Sequence, residues 1–289
     1  MNTTEPIMVS VHCAVYNQAP YIRQCLDGIV MQQTTFRMQV LVHDDASNDG
    51  SADIIREYAA KYPDLIVPII ETVNQYSTRE KAHLHFWDGY ERGNYIAFCD
   101  GDDYWTDPLK LQKQVDYLES HPHVVLSCHV YNNLDQETGQ MRPGDNHADE
   151  LPEMEGRTEF EFDRYFNFKR VWLALLTTMV YRAECADIDF LLQFKYSNEN
   201  HLIYDLLGKG AGVCHNFNGA VYRILPKGMY YHKTLAERFL VDFRIKNEFV
   251  RKTHEPMFAY YNSPRGWLKY ALWTCFVVPY QRLRRRWQK

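Results

Sequence analysis

The chain predicts an α/β fold built on a largely parallel sheet, and three observations carry that prediction. Short apolar runs alternate with segments of helical period through roughly the first 130 residues, the pattern of βαβ units. Polar clusters close three of those runs, at Tyr16-Asn17, Asp44-Asp45 and Asp100 to Asp103. In an open α/β sheet, the carboxyl ends of the strands are where the ligand crevice lies. An apolar fraction of 46% is ample for the core such a sheet needs, and no obvious linker splits the 289 residues.

Taken in order, Val9 to Ala14 reads as a strand and Pro20 to Met31 as a helix, with Pro at its start and Ile22, Cys25, Leu26, Ile29 and Val30 on one face. Val40 to His43 is the second strand, Ser51 to Lys61 a helix with Ile54, Ile55 and Tyr58 inward, and Leu65 to Ile70 the third strand. A polar loop at Thr72 to Thr78 precedes an expected helix at His83 to Arg92, then a strand at Tyr95 to Cys99, a helix at Lys110 to Ser120 and a strand at Val124 to Cys128. Residues 132–170, broken by Pro143-Gly144 and Pro152, read as a long connection. Trp172 to Tyr181 reads as an apolar strand, Glu199 to Gly208 as a helix, Ala220 to Leu225 as a strand and Leu235 to Lys252 as a long amphipathic helix.

Composition removes several function classes. The seven cysteines are odd in number, scattered and free of Cys-x-x-Cys, which indicates neither a disulfide framework nor a zinc site and fits a reducing cytoplasm. The first twenty residues lack the basic head and apolar run of a signal peptide, and no stretch reaches the roughly 18 to 20 apolar residues of a membrane-spanning helix. All 37 acids lie at or before Glu255, whereas Arg265, Lys269, Arg282, Arg284, Arg285, Arg286 and Lys289 follow it. The body is therefore acidic, the opposite of a nucleic-acid-binding face.

The chemistry concentrates at the strand ends. In Tyr95-Ile96-Ala97-Phe98-Cys99-Asp100-Gly101-Asp102-Asp103-Tyr104-Trp105, three carboxylates occupy four positions after an apolar strand, and their mutual repulsion asks for a cation or hydrogen-bond donors. Asp100 and Asp102 point the same way from an extended backbone, and Gly101 admits a ligand close to it. A hard divalent ion, Mg²⁺ or Mn²⁺, shared with a phosphate would satisfy them; an acidic turn leading into the helix that Asp107-Pro108 announces is the other reading. His43-Asp44-Asp45-Ala46-Ser47-Asn48-Asp49-Gly50-Ser51 is a second acidic strand end, whose Asp45 suits either a nucleobase edge or local capping. Tyr16, after Ala14-Val15, stands where a ring stacks on a base or packs on the fold. The pairs His83/His85 and His121/His123 lack a spacing that converges on one metal ion.

These three segments, in this order and spacing, resemble the family 2 glycosyltransferases of the GT-A fold, a Rossmann-like nucleotide-diphospho-sugar transferase fold. The run Gly101-Asp102-Asp103-Tyr104-Trp105-Thr106-Asp107-Pro108-Leu109-Lys110-Leu111-Gln112-Lys113-Gln114 is similar to one bacterial branch of that family. The resemblance covers residues 8–128 closely and 195–232 loosely. It implies one GT-A domain over residues 1–263, with a mostly parallel mixed sheet, a nucleotide-sugar half (1–130) and an acceptor half (131–263). Residues 264–289 would form a C-terminal extension. The resemblance further implies that Ala14, Tyr16 and Asp45 contact the nucleotide base, Asp100 the ribose or phosphates and Asp102 a divalent cation. The implied activity is transfer of a sugar, UDP-linked, to a saccharide or lipid-linked saccharide acceptor, with inversion, in surface polysaccharide assembly.

The family places an acidic base at the start of a helix in the second half, where this chain has Asn198-Glu199-Asn200-His201. Glu199 is therefore the candidate base, with Asp205 the second choice; an acid favoured by the helix dipole is the alternative account of Glu199. In Val221-Tyr222-Arg223-Ile224-Leu225-Pro226-Lys227-Gly228, Leu225 replaces the histidine usual in that branch. Arg223, Lys227, His232, Arg79 and Lys81 are either phosphate contacts or solvated surface charges. The tail from Trp267 to Trp287 sets aromatic and apolar residues beside a basic cluster, which suits an anchor on an anionic membrane face, or a helix packed on the body. Two other functions remain: a sugar nucleotidyltransferase, which would need a glycine-rich basic loop that Tyr16-Asn17-Gln18-Ala19-Pro20 does not provide, and a non-catalytic saccharide- or membrane-binding module.

Overall fold

The structure, a computed structural model, describes residues 5–78, 90–195, 198–226 and 234–278. The first half follows the predicted alternation: β1 (Val9–Val15), α1 (Ile22–Val30), β2 (Met38–Asp44), α2 (Ser51–Lys61), β3 (Ile66–Ile70), the short turn of helix α3 (Gln75–Thr78), β4 (Tyr95–Phe98), β5 (Tyr104–Trp105) and α4 (Lys110–Ser120). Next come β6 (Val124–Asp135), β7 (Met141–Pro143), β8 (Glu159–Phe162) and β9 (Val180–Arg182). The helices α5 (Ile188–Leu192) and α6 (Glu199–Leu206), the strand β10 (Ala211–Ile224), and the helices α7 (Leu235–Thr253) and α8 (Pro264–Leu272) complete it. Among the described residues no helix is long and apolar enough to cross a membrane.

The strands form one mixed sheet of order β3-β2-β1-β4-β9-β6-β10-β5, with β7 on β6 and β8 on β10. Its central run β3-β2-β1-β4 is parallel throughout, as is β6 with β10. After β3 the chain crosses back to lay β4 on the other side of β1, so the strand order reverses between β1 and β4. That reversal is the switch point at which open α/β sheets bind ligands.

Alternation along the strands divides the core between the two faces of the sheet. Val9, Val11, Cys13 and Val15 of β1 face α1, α2 and α4 together with Val40 and Val42, while Leu41, Ile96 and Phe98 join Phe160, Phe162, Ile203 and Leu206 on the other face.

Three expectations from the second half are corrected. Trp172 to Tyr181 is not one strand: a tight 3₁₀ turn at Leu176–Thr178, in which the Thr178 hydroxyl donates to the Leu175 carbonyl at 2.8 Å, precedes the three residues of β9. Leu173, Ala174, Met179 and Val180 are buried all the same, and a buried turn is as apolar as a buried strand. Residues 132–170 are not a bare connection. Strand β6 continues to Asp135, whose carboxylate accepts from the Glu137 and Thr138 amides to turn the chain into β7, and β8 pairs with Gly212 to His215 of β10. Strand β10 runs fourteen residues rather than the six expected, because register shifts between His215 and Val221 break its alternation. Residues 83–89 of the helix expected at His83 to Arg92 lie outside the described residues, and Tyr90 to Arg92 are irregular.

Candidate active site

The acidic loop is built onto β1. Beyond the end of β4, the Cys99 amide donates to the His12 carbonyl at 3.0 Å and the Gly101 amide to the Ala14 carbonyl at 2.9 Å, so the chain tracks β1 to the switch point. A Cβ at Gly101 would lie 2.4 Å from Gln18 Oε1, 3.0 Å from Val15 Cγ2 and 3.1 Å from Ile22 Cδ1, so a larger residue would displace the Gln18 amide and press on both apolar side chains. The Asp103 amide closes the turn onto the Asp100 carbonyl at 2.8 Å.

Arg223 then locks the loop from β10. Its backbone amide donates to Asp103 Oδ1 at 2.8 Å and its Nε to the Asp102 carbonyl at 2.6 Å. Its terminal nitrogens donate to Gln136 at 2.8 Å and Gln24 at 2.7 Å, and the guanidinium lies over the rings of Tyr21 and Tyr104. At 6% exposure, Arg223 is a buried clamp on the acidic turn rather than a solvated surface charge.

This arrangement leaves negative charge concentrated at the switch point. Burial, then the Asp102 charge and the Glu199 charge, push the Asp100 carboxyl up to about 7. Burial also raises Asp102, against the opposing pull of the Arg223 charge and a hydrogen bond from Gln18. Gln18 Oε1 itself is buried without a hydrogen-bond partner. Two carboxylates raised by burial beside an unpartnered amide oxygen are a hard, oxygen-only donor set, which fits Mg²⁺ or Mn²⁺. Among the described residues no group of three or more His, Cys, Asp and Glu is arranged to hold a metal by protein ligands alone. An ion bound here would complete its shell with phosphate or water oxygens.

The first two loops form the adjoining wall. The Asn17 amide donates to the Ser47 hydroxyl at 2.8 Å, the Asn48 amide to Asn17 Oδ1 at 2.9 Å and the Ala19 amide to Asp49 Oδ2 at 2.9 Å. Asn17 and Ala46 take left-handed backbone angles, φ 52 and 62. Tyr16 stands out of this wall with 51% exposure. The Asp45 amide bonds the Val15 carbonyl next to it at 2.9 Å. The Asp45 carboxylate accepts from the Gln75 amide at 2.5 Å and the Tyr76 amide at 3.0 Å, capping α3; a carboxylate has about four lone-pair positions, so room remains for a further donor. Asp44 is buried behind it, one oxygen on the Ser47 amide at 3.0 Å. The carbonyl of Ala14 is already used by Gly101.

Glu199 opens α6. Asn198 caps that helix, its Oδ1 accepting from the Asn200 amide at 3.2 Å, and a reciprocal box with His201 fixes the entry of the chain. Glu199 keeps accessible surface, yet the protein packed around it pushes its carboxyl above the usual range, with the Asp242 charge adding to the shift. Its own charge acts on Asp100. The second choice, Asp205, is committed elsewhere: it accepts from the Asp187 amide and from Lys209 Nζ, both at 2.8 Å.

The sheet thus brings Ala14, Asp100 and Asp102 together and sets Tyr16 and Asp45 on the adjacent rim, and the Glu199 charge acts on Asp100. Gln18, Gln24 and Asp242 were missed, since nothing in their sequence neighbourhoods marks them; Arg223 carried a signal in Tyr222-Arg223 but was given another role. His121 and His123 do not converge on one ion: His121 Nδ1 lies 3.0 Å from the Tyr117 carbonyl and His123 Nε2 pairs with Glu161 at 2.9 Å. Arg79, Lys81, His83, His85, Lys227, His232 and the basic cluster Arg282 to Lys289 lie outside the described residues.

A mixed, mostly parallel sheet with paired carboxylates at its switch point is the architecture of the GT-A transferases. Residues 10–181 match the profile described as glycosyl transferase family 2, and the chain belongs to that family. An uncharacterised protein of Mycobacterium tuberculosis is 47% identical over 123 residues, which cover 42% of this chain and 34% of that protein, so the match spans about a third of that relative's length. Staphylococcus aureus TarS in complex with UDP-GlcNAc superposes with a TM-score of 0.58 at 17% identity, over 84% of this chain and 67% of that one. The Pyrobaculum calidifontis mannosyltransferase PcManGT, in complex with GDP-Man and Mn²⁺, gives 0.57 at 17% identity, over 94% and 74%. Both share the fold.

Proposed function

We propose that this chain transfers a sugar from a nucleotide-diphosphate donor, a UDP-sugar, to a saccharide or lipid-linked saccharide acceptor, with inversion, in surface polysaccharide assembly. What supports this reading is the pair of carboxylates, Asp100 and Asp102, in the turn at the switch point, with the Glu199 charge among the causes that raise the Asp100 carboxyl. Solved relatives of the fold hold UDP-GlcNAc and GDP-Man with Mn²⁺, which supports a nucleotide-sugar donor and a divalent ion.

In this reading Tyr16 stacks on the base, the free lone pairs of Asp45 accept its N–H groups and the Ala14 backbone borders it. Asp100 holds the ribose or the phosphates. Asp102 would hold the divalent cation, which supplies Lewis-acid neutralisation of charge on the departing diphosphate. Glu199 accepts the proton of the acceptor hydroxyl as that oxygen attacks the anomeric carbon in line. A carboxyl raised above its ordinary pKa is a stronger base near neutrality, so its environment favours this task. Residues 1–130 form the donor half, and residues 131–263 supply the acceptor side. A nucleotidyltransferase would want a basic phosphate loop after β1, where the structure has the Ser47- and Asp49-bonded turn.

The test is a screen of nucleotide sugars by thermal shift with Mn²⁺, followed by transfer assays. Asp102→Ala should abolish the Mn²⁺-dependent shift, whereas Glu199→Gln should keep it and lose transfer by about two to four orders of magnitude. In the wild type, kcat should fall as pH drops through the raised Glu199 pKa, because protonation removes the base. Normal transfer by Glu199→Gln would sink the assignment, and donor binding without any turnover would favour the binding-module reading.

A further inference from the structure

The first residue of α4 is a lysine with no accessible surface. Lys110 Nζ donates to Gln114 Oε1 at 2.9 Å and lies 4.2 Å from the centroid of the Trp105 ring. Gln114 is fixed in turn, its Nε2 donating to the Ser127 hydroxyl at 3.0 Å and to the Thr178 carbonyl at 2.9 Å. The indole is tied down as well, Nε1 donating to the Thr177 carbonyl at 2.9 Å. Trp105 follows the acidic turn directly through Tyr104 and pairs with Ala220 of β10. Stability alone argues against this lysine in three ways. Burial takes the ammonium out of water and pushes it down to about 7, with Asp107 among the groups that oppose the shift. Its partners are an amide oxygen and an indole face, not a carboxylate that would offset the desolvation. It also opens a helix, the end at which the dipole disfavours a cation. A methionine would fill most of the same space with none of these penalties.

We infer that Lys110 is a positioning residue for the reaction and acts through Trp105: the ammonium on its face pins the indole, and the pinned indole fixes the end of the turn that carries Asp100 and Asp102. A cation over an aromatic face is worth most when both are desolvated, and the indole is the strongest of the aromatic partners. Both conditions hold here, since Trp105 is 2% exposed and Lys110 is fully buried. Arg223 grips the turn from β10 through Asp102 and Asp103, whereas Lys110 grips from α4 the residue on which the turn ends. This deepens the transferase proposal and rests on its donor site at Asp100 and Asp102.

Three measurements on the full chain compare Lys110→Met with the wild type: urea unfolding, amide hydrogen exchange over residues 99–105, and titration with UDP-GlcNAc, GDP-Man and other nucleotide sugars in Mn²⁺. The urea midpoint should hold or rise. The Gly101 and Asp103 amides, bonded to the Ala14 and Asp100 carbonyls, should exchange about tenfold faster, and the donor dissociation constant should rise roughly tenfold. Trp105→Phe, which keeps a ring but a weaker cation site, should loosen the same amides to a smaller degree. Its effect on donor affinity should not add to that of Lys110→Met, because both remove one contact. A lower midpoint with exchange faster throughout the core marks a merely structural lysine and overturns the proposal. Unchanged exchange at Gly101 and Asp103, or additive effects on donor affinity, overturns it equally. Wild-type exchange and affinity in Trp105→Phe does so whatever the fate of Lys110→Met. The two readings fail separately. A wild type that binds no nucleotide sugar, with Gly101 and Asp103 still loosened in Lys110→Met, removes the donor reading and keeps the hold on the turn; full donor binding and transfer by Lys110→Met removes the lysine and keeps the transferase.

Discussion

Each side-chain nitrogen of Arg223 donates to protein, Nε to the Asp102 carbonyl and the terminal nitrogens to Gln136 and Gln24, and its backbone amide holds Asp103 in the same turn. Lysine would keep the charge but not the fork that reaches Asp102, Gln136 and Gln24 together. Arg223→Lys should therefore leave buried acceptors unpaired, lower stability by about 1–3 kcal/mol and weaken Mn²⁺-dependent donor binding through the displaced loop. Urea unfolding and donor titration read both effects, and donor affinity equal to wild type would show that the clamp does not position the site. The strand end that carries Asp100 and Asp102 and the helix start that carries Glu199 were legible in the sequence, because strand ends and helix caps are local patterns. The clamping role of Arg223 was not, since its partner Asp103 lies 120 positions away.

Helix α1 reaches the acidic loop through its closest approach to the sheet. At Gly28 an added Cβ would sit 2.6 Å from the Trp105 carbonyl oxygen and 2.9 Å from its amide nitrogen, both backbone atoms of β5. Helix propensity alone favours Gly28→Ala by about 1 kcal/mol. The clash should outweigh that gain, lowering the unfolding midpoint and, because β5 follows Asp103 directly, weakening donor binding as well. A higher midpoint in urea would mean that the helix shifts freely and that the contact does not position β5. At this scale, elements with a clean period were readable from sequence to within about two residues. The failures at residues 172–181, in β8 and in β10 share one cause: burial and strand bulges erase the periodicity on which such reading depends.

For the whole molecule, the C-terminal segment is the part whose position bears on where the enzyme works. Its helix α8 packs on α7, with Tyr270 stacked on Phe243 at 4.6 Å, Trp267 edge-on to the same ring at 5.1 Å and the Tyr270 hydroxyl accepting from Arg244 at 2.8 Å. Packing of this part does not use the opposite face, where Leu268 and Leu272 are 62% and 47% exposed. We propose that this face, ahead of the basic cluster, holds the protein at the inner surface of the cell membrane, close to a lipid-linked acceptor. In the full chain, Leu268→Asp with Leu272→Asp should abolish sedimentation with phosphatidylglycerol vesicles while the donor shift is kept. Unchanged vesicle binding would reject the anchor.

By itself the sequence determined the α/β class, the order of the nucleotide-side elements, the acidic strand end and the glutamate that opens α6. Periodicity, turn residues and caps are properties of neighbouring residues, and the chain carries them whatever it packs against. Only the tertiary structure decided that β4 lies beside β1 to create the switch point, that Arg223 of β10 locks the acidic turn, that Asp205 is committed to Lys209 while the Glu199 charge acts on Asp100, and that aromatic side chains line a cavity between α6 and α7. Each of these joins segments far apart in the chain, and the contact itself sets the burial and charge that give the residues their chemistry.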